Sequence, residues 1–97
     1  MIKVVVEKNE IEVSGHANYD EYGKDIVCAS VSSIVITSIN ACIEVDKDSI
    51  LYEENDNKIK IEIKKEDKVI EKLINNMVFM LESLEKDYPK NIKILRR

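Results

Sequence analysis

The feature that most constrains the fold is a run of eighteen uncharged residues, Ile26 to Ile43, in a chain of which 35% is charged. β-Branched residues are frequent in this run and favour a strand, but the run is far too long for one strand. A helix from Ile26 to Glu44 accommodates it and leaves one narrow polar stripe, formed by Ser30, Ser33, Thr37, Asn40 and Glu44. The run therefore predicts a helix that is buried over most of its circumference.

The same run has nearly the length of a transmembrane helix. However, six of its residues are polar, charged residues flank both ends, and the rest of the chain is amphipathic. The first ten residues also lack the apolar core of a signal peptide. We therefore expect a cytoplasmic protein that does not span a membrane.

Short segments with alternating apolar residues surround this helix and predict strands. Two of them, Ile2–Val6 and Ile11–Val13, flank a polar turn, as in a hairpin. A second hairpin joins Ile50–Tyr52 to Ile59–Ile63, and a last short strand covers Ile92–Leu95. Each strand is apolar on one face only, which is typical of a mainly antiparallel sheet covered on one side.

A second helix is predicted from Asp67 to Tyr88, where apolar residues recur at helical spacing and Pro89 ends the pattern. The order ββαββαβ predicts an α+β fold, a two-layer sandwich with both helices on one face of the sheet. The 97 residues are enough for one compact domain, which we place over residues 1–97.

The charge balance limits the class of partner. A net charge of −4 argues against nucleic-acid binding, because phosphates require basic groups in number. An acidic domain instead suits a basic protein partner, although ordinary solubility also explains the charge. Phe79 lies on the side of the second helix that faces water, and we predict that it forms a protein contact, as in a homodimer.

Two residues could carry chemistry, the single histidine His16 and Cys28, which would lie in the first turn of the long helix. Free N–H groups at a helix N-terminus stabilise a thiolate and could hold the oxyanion of a tetrahedral intermediate. Asp25 could cap the helix or orient His16. The residues alone favour a buried structural thiol over a catalytic dyad, and β-strand parity places His16 on the polar side unless Gly15 interrupts the strand.

The other candidate sites are weaker. Cys42 would lie about 21 Å from Cys28 along one helix, which is too far for a disulfide. Unpaired thiols suit a reducing cytoplasm. One histidine and two cysteines do not make a zinc site, so we expect neither metal nor cofactor.

The stretch from Gly15 to Ser32 contains GHA, a short loop that ends in YG, and DIVCA followed after two intervening residues by Ser32. It resembles the signature of the bacterial ribosomal-processing cysteine proteases. The resemblance implies that the chain removes an N-terminal extension from large-subunit ribosomal protein number twenty-seven. It implies a catalytic dyad of His16 and Cys28, supporting positions at Asp25 and Ser32, and a homodimer.

The resemblance also implies a mobile substrate loop, which comprises Asn18, Tyr19, Asp20, Glu21, Tyr22, Gly23 and Lys24. Tyr19 and the single glycine of this loop depart from some relatives and predict a stiffer loop. Two alternatives to the protease are a non-catalytic module that binds a ribosomal protein and a thiol-dependent hydrolase of non-peptide esters. The sequence leaves the cleavage site and the oxyanion donors open.

Overall fold

The computed structural model describes residues 1–15, 22–55 and 57–97, and for residues 22–25 it describes the backbone alone. The elements are β1 (Ile2–Val6), β2 (Glu10–Ser14), α1 (Tyr22–Val45), β3 (Ile50–Asn55), β4 (Lys58–Ile63), α2 (Lys68–Asp87) and β5 (Ile92–Arg96). Their order, ββαββαβ, is the predicted one.

The strands form one sheet in the order β3-β4-β2-β1-β5. Every neighbouring pair is antiparallel except β1 and β5, which run parallel. The apolar alternation sends one set of strand side chains into a single core with both helices; the strand residues buried there include Ile2, Val4, Ile11, Val13, Ile61 and Ile92. The predicted two-layer sandwich with a mainly antiparallel sheet is confirmed.

The opposite face of the sheet is polar and carries cross-strand ion pairs. Lys58 Nζ lies 2.7 Å from Glu12 Oε1, and Lys60 Nζ lies 3.3 Å from Glu10 Oε1. These side chains are well exposed, so each pair adds at most about 1 kcal/mol. They keep this face in water and leave the core on the helical side.

Helix α2 begins and ends where local chemistry predicts. Asp67 is its N-cap, and its carboxylate accepts hydrogen bonds from the N–H groups of Val69 (2.8 Å) and Ile70 (3.2 Å). Tyr88 is the C-cap and donates its N–H to the carbonyl of Leu84. Because Pro89 follows directly, the helix cannot continue.

Helix α1 is less buried than the uncharged run predicts. Its fully buried residues form a single stripe, Val27, Val31, Val35, Ile39 and Cys42. Ile26 and Ile36 are 54% and 45% exposed. The prediction of a mostly buried circumference is therefore wrong, because a two-layer domain covers a helix on one side only.

By length and composition alone, α1 is also a helix that could cross a membrane, with a mean hydropathy of 2.0 over Ile26–Val45. The core helix of a soluble protein has the same composition, and α1 packs on the sheet and on α2. The expectation that the chain does not span a membrane stays a prediction.

Backbone N–H groups at the outer edge of β5 donate hydrogen bonds to acceptors in α2 and its C-cap. The N–H of Ile94 donates to Glu85 Oε2 (2.9 Å), and the N–H of Ile92 donates to the carbonyl of Tyr88 (3.3 Å). Arg96 binds both carboxylate oxygens of Glu82, at 3.1 and 3.0 Å. Helix α2 is thereby tied to the last strand by polar contacts as well as by its apolar side.

Candidate active site

The end of β2 is shaped by Gly15. Its φ of +88° lies in the left-handed region, and a Cβ at this position would collide with the carbonyl oxygen of Met1. Its N–H donates to the carbonyl of Asn57, 3.0 Å away in the β3–β4 turn. The regular alternation of β2 therefore ends before Gly15.

Gly15 lies at the wall of a cavity of about 160 Å³ between the first half of α1 and the β3–β4 hairpin. Cys28 and Ser32, one helical turn apart, form the α1 side of this cavity. The hairpin contributes Glu54 and Asn55, while Ile2, Val13, Val31, Ile36 and Ile59 make much of the lining apolar. The structure thus places Gly15, Cys28 and Ser32 of the motif region around one cavity with the β3–β4 hairpin, which is distant from them in sequence.

The two thiols differ in their surroundings. Cys28 is partly exposed and lines the cavity, whereas Cys42 is fully buried in the core. Burial raises the pKa of the Cys42 thiol, because the thiolate would lose its hydration there. Cys28 is therefore the more accessible of the two thiols, and Cys42 is a small core residue.

Two predictions about the start of α1 are wrong. The helix begins at Tyr22 and not at Ile26, so Cys28 is its seventh residue and lies in the second turn. The unpaired N–H groups of a helix lie at its first turn, so in α1 they precede Cys28 by about one turn. Asp25 lies inside the helix and does not occupy the N-cap position, which excludes its predicted role as a cap.

The helix starts early because nothing in the segment before Ile26 opposes helix formation strongly, and polar residues are readily accommodated in a first turn. Tyr22, Gly23 and Lys24 are consequently helical, and the loop predicted over Asn18–Lys24 ends before Tyr22. His16 and the loop residues Asn18, Tyr19, Asp20 and Glu21 lie outside the described residues, as does the side chain of Asp25.

Sequence reasoning missed Glu54. It lies opposite Ile59 in the β3–β4 register and shares strand parity with Ile50 and Tyr52, so its side chain belongs to the helix-facing side of the sheet. The sequence prediction ended this strand at Tyr52. A strand that continues to Asn55 places Glu54 on the same side as Ile50 and Tyr52. In the parts of the chain that the structure describes, no group of His, Cys, Asp and Glu could hold a metal ion.

Residues 1–93 match the family model described as cysteine protease Prp. The ribosomal processing cysteine protease Prp of Bacillus subtilis is 31% identical over 93 residues, which cover 86% of this chain and 80% of that protein. The Staphylococcus aureus protein of the same name is 30% identical over 88 residues, which cover 88% and 83%. A crystal structure of the S. aureus protease with a covalently linked product peptide has a TM-score of 0.91 at 25% identity, over 100% of both chains.

Proposed function

Since the chain belongs to the cysteine protease Prp family and is a cysteine protease, we propose that Cys28 is its nucleophile and His16 its general base. We propose further that the substrate is large-subunit ribosomal protein number twenty-seven, from which the enzyme removes an N-terminal extension. The observation that carries the proposal is the partly exposed Cys28, which lines a cavity together with Gly15, the residue that directly precedes His16.

In this mechanism the Cys28 thiolate adds to the scissile carbonyl carbon, and the tetrahedral intermediate collapses with loss of the amine, which takes a proton from the His16 imidazolium. His16 then accepts a proton from water, whose oxygen attacks the thioester and releases the carboxylate product and the Cys28 thiolate. Cavity residues such as Ser32 and Ile36 flank the nucleophile and limit how the peptide can lie beside it.

A peptide that spans the extension junction tests the assignment directly, with both products measured by mass spectrometry. Cys28→Ala should abolish cleavage and retain peptide binding, and His16→Ala should lower turnover by several orders of magnitude. Cys42→Ala is the matched control and should keep its activity, because Cys42 lies in the core. Cleavage by pure Cys28→Ala protein would refute the nucleophile.

The first alternative, a non-catalytic module that docks on a ribosomal protein, predicts an inert Cys28. Alkylation by iodoacetamide distinguishes the two. The native enzyme should gain one adduct near neutral pH, on Cys28, and a second adduct only after unfolding exposes Cys42. Equal and slow reaction of both thiols would favour the module. An ester hydrolase would share the fast alkylation but leave the junction peptide intact.

We propose a positioning role for Asp25. Since α1 begins at Tyr22, Asp25 does not cap it, and we assign Asp25 the orientation of His16. Asp25→Asn should then reduce turnover while the melting temperature changes little, because the amide cannot stabilise an imidazolium as a carboxylate does. Unchanged turnover would remove Asp25 from the site.

A homodimer is the proposed assembly. Phe79 is 62% exposed on α2 and its neighbour Met80 is 44% exposed, which confirms the predicted exposure of Phe79. Exposed apolar side chains on α1, including Ile26, lie across an open groove from Met80 and extend the apolar surface. Phe79→Asp should lower the mass measured by light scattering to that of a monomer. A monomeric wild-type protein would refute the assembly.

A further inference from the structure

Glu54 is a charged residue in a position where the sheet otherwise places apolar groups. Along β3, Ile50, Tyr52 and Glu54 share the side that faces the helices, and Leu51, Glu53 and Asn55 share the open side. The cross-strand neighbour of Glu54 is Ile59, which packs against the core. Glu54 is exposed near the end of β3, so the carboxylate stays hydrated, but it departs from the apolar alternation on this side of the sheet, and such departures concentrate at functional positions.

Glu54 also has no polar partner among the described residues. Other carboxylates of the sheet, such as Glu10, Glu12 and Glu62, form ion pairs with lysines on the open face. The side chain of Glu54 forms no hydrogen bond or ion pair within the described part of the chain, although Glu54 lines the same cavity as Cys28. Lys58 also borders this cavity, but its ammonium is held by Glu12 at 2.7 Å.

We propose that Glu54 is a specificity-determining residue that selects a lysine or arginine side chain of the substrate near the scissile bond. The proposal rests on the proposed protease function and names the substrate class of that site. A largely apolar cavity, with a carboxylate at its wall that has no partner among the described residues, suits a long cationic side chain, whose methylene stem packs on Ile36 and Ile59 while its charged end reaches Glu54.

The acidic character of the whole domain supports a cationic substrate. The chain carries a net charge of −4, so a basic peptide is attracted before it contacts the site. Net charge alone gives no positional preference, however, whereas a carboxylate fixed in the cavity that Cys28 lines requires the cationic residue at one defined distance from the scissile bond. The experiment must therefore separate position from total charge.

The test uses N-acetylated peptides based on the extension junction, in which each position in turn is Lys, Arg, Gln or Glu. Wild-type enzyme should prefer Lys or Arg over Gln about threefold to fivefold in kcat/KM at one position, the range expected for a solvent-accessible ion pair. Glu54→Gln should abolish that preference, and Glu54→Lys should reverse it towards Glu. Glu53→Gln removes the same charge on the opposite face of β3 and should keep the preference.

The outcomes separate the two levels of the proposal. Cleavage by wild type with an unchanged Lys-to-Gln ratio in Glu54→Gln would overturn the role of Glu54 and leave the protease function standing. An equal loss of preference in Glu53→Gln would show a general charge effect and also overturn it. A preference that requires a free peptide N-terminus would assign the carboxylate to the terminal ammonium instead. No cleavage of any peptide, together with an inert Cys28, would overturn the protease function and this assignment with it.

Discussion

Replacement of Gly15 by alanine combines two separate costs at the edge of the site. An L-residue at a φ of +88° is strained by about 1–2 kcal/mol. The added Cβ would also collide with the carbonyl oxygen of Met1, directly before Ile2, which is 2% exposed in the core and pairs with Ile92. The start of β1 would have to move, at a cost similar to overpacking, about 1–3 kcal/mol.

The sum, about 2–5 kcal/mol, is large for a domain whose total stability is on the order of 5–15 kcal/mol. At about 4–8 °C per kcal/mol for a chain of this size, Gly15→Ala should lower the melting temperature by about 10 °C or more. Cleavage should also fall, because Gly15 borders the cavity and precedes His16.

Differential scanning calorimetry of three variants tests this reasoning. Gly15→Asn tolerates a left-handed φ better but still carries a Cβ, so it should remain destabilised through the collision alone. Gly23 is helical, and Gly23→Ala should leave stability unchanged or raise it by up to about 1 kcal/mol. A melting temperature of Gly15→Ala within a degree or two of wild type would refute both costs.

Three further predictions concern stability away from the cavity. Asp67→Ala removes the α2 N-cap and should cost about 0.5–2 kcal/mol in chemical denaturation, while Asp67→Asn should cost much less. Cys42→Ala should cost about 1 kcal/mol for one buried atom and its cavity, with catalysis unchanged; a cost of several kcal/mol would contradict this. Arg96 holds the pKa of Glu82 below its ordinary value of 4.5, so their pair stabilises the fold above that pH and is lost as the pH falls through the lowered pKa. Melting curves between pH 6 and pH 3 should show a small acid loss that Glu82→Gln removes, limited to about 1 kcal/mol by the exposure of the pair.

The strands and the second helix were predicted correctly from patterns of residues that are close in sequence. The alternation in β1, β2 and β4 is a pattern of close neighbours in sequence, and the structure agrees with it. The same holds for the two ends of α2, which are marked by Asp67 at the start and by Pro89 after the end. The start of α1 was wrong because Tyr22 to Asp25 carry no apolar periodicity. The burial of α1 was overestimated because composition does not reveal how many layers cover a helix.

The site was predictable only in part for a related reason. Cys28 followed from a motif that is contiguous in sequence, and its exposure to the cavity agrees with that choice. The role of Glu54 depends on the register between β3 and β4 and on the packing of α1 over that hairpin, which link residues about 26 positions apart. No local pattern around Glu54 contains that information.

The unequal edges of the sheet determine how far molecules could associate through their strands. On the outer side of β5, N–H groups donate to Glu85 and to the carbonyl of Tyr88, whereas no hydrogen bond between described residues covers the outer backbone of β3. Two molecules that paired through β3 would each use their one available edge, so strand addition would stop at two copies. A sheet with both edges open could continue into a fibre. The contacts between α2 and β5 therefore prevent further molecules from adding at the β5 edge.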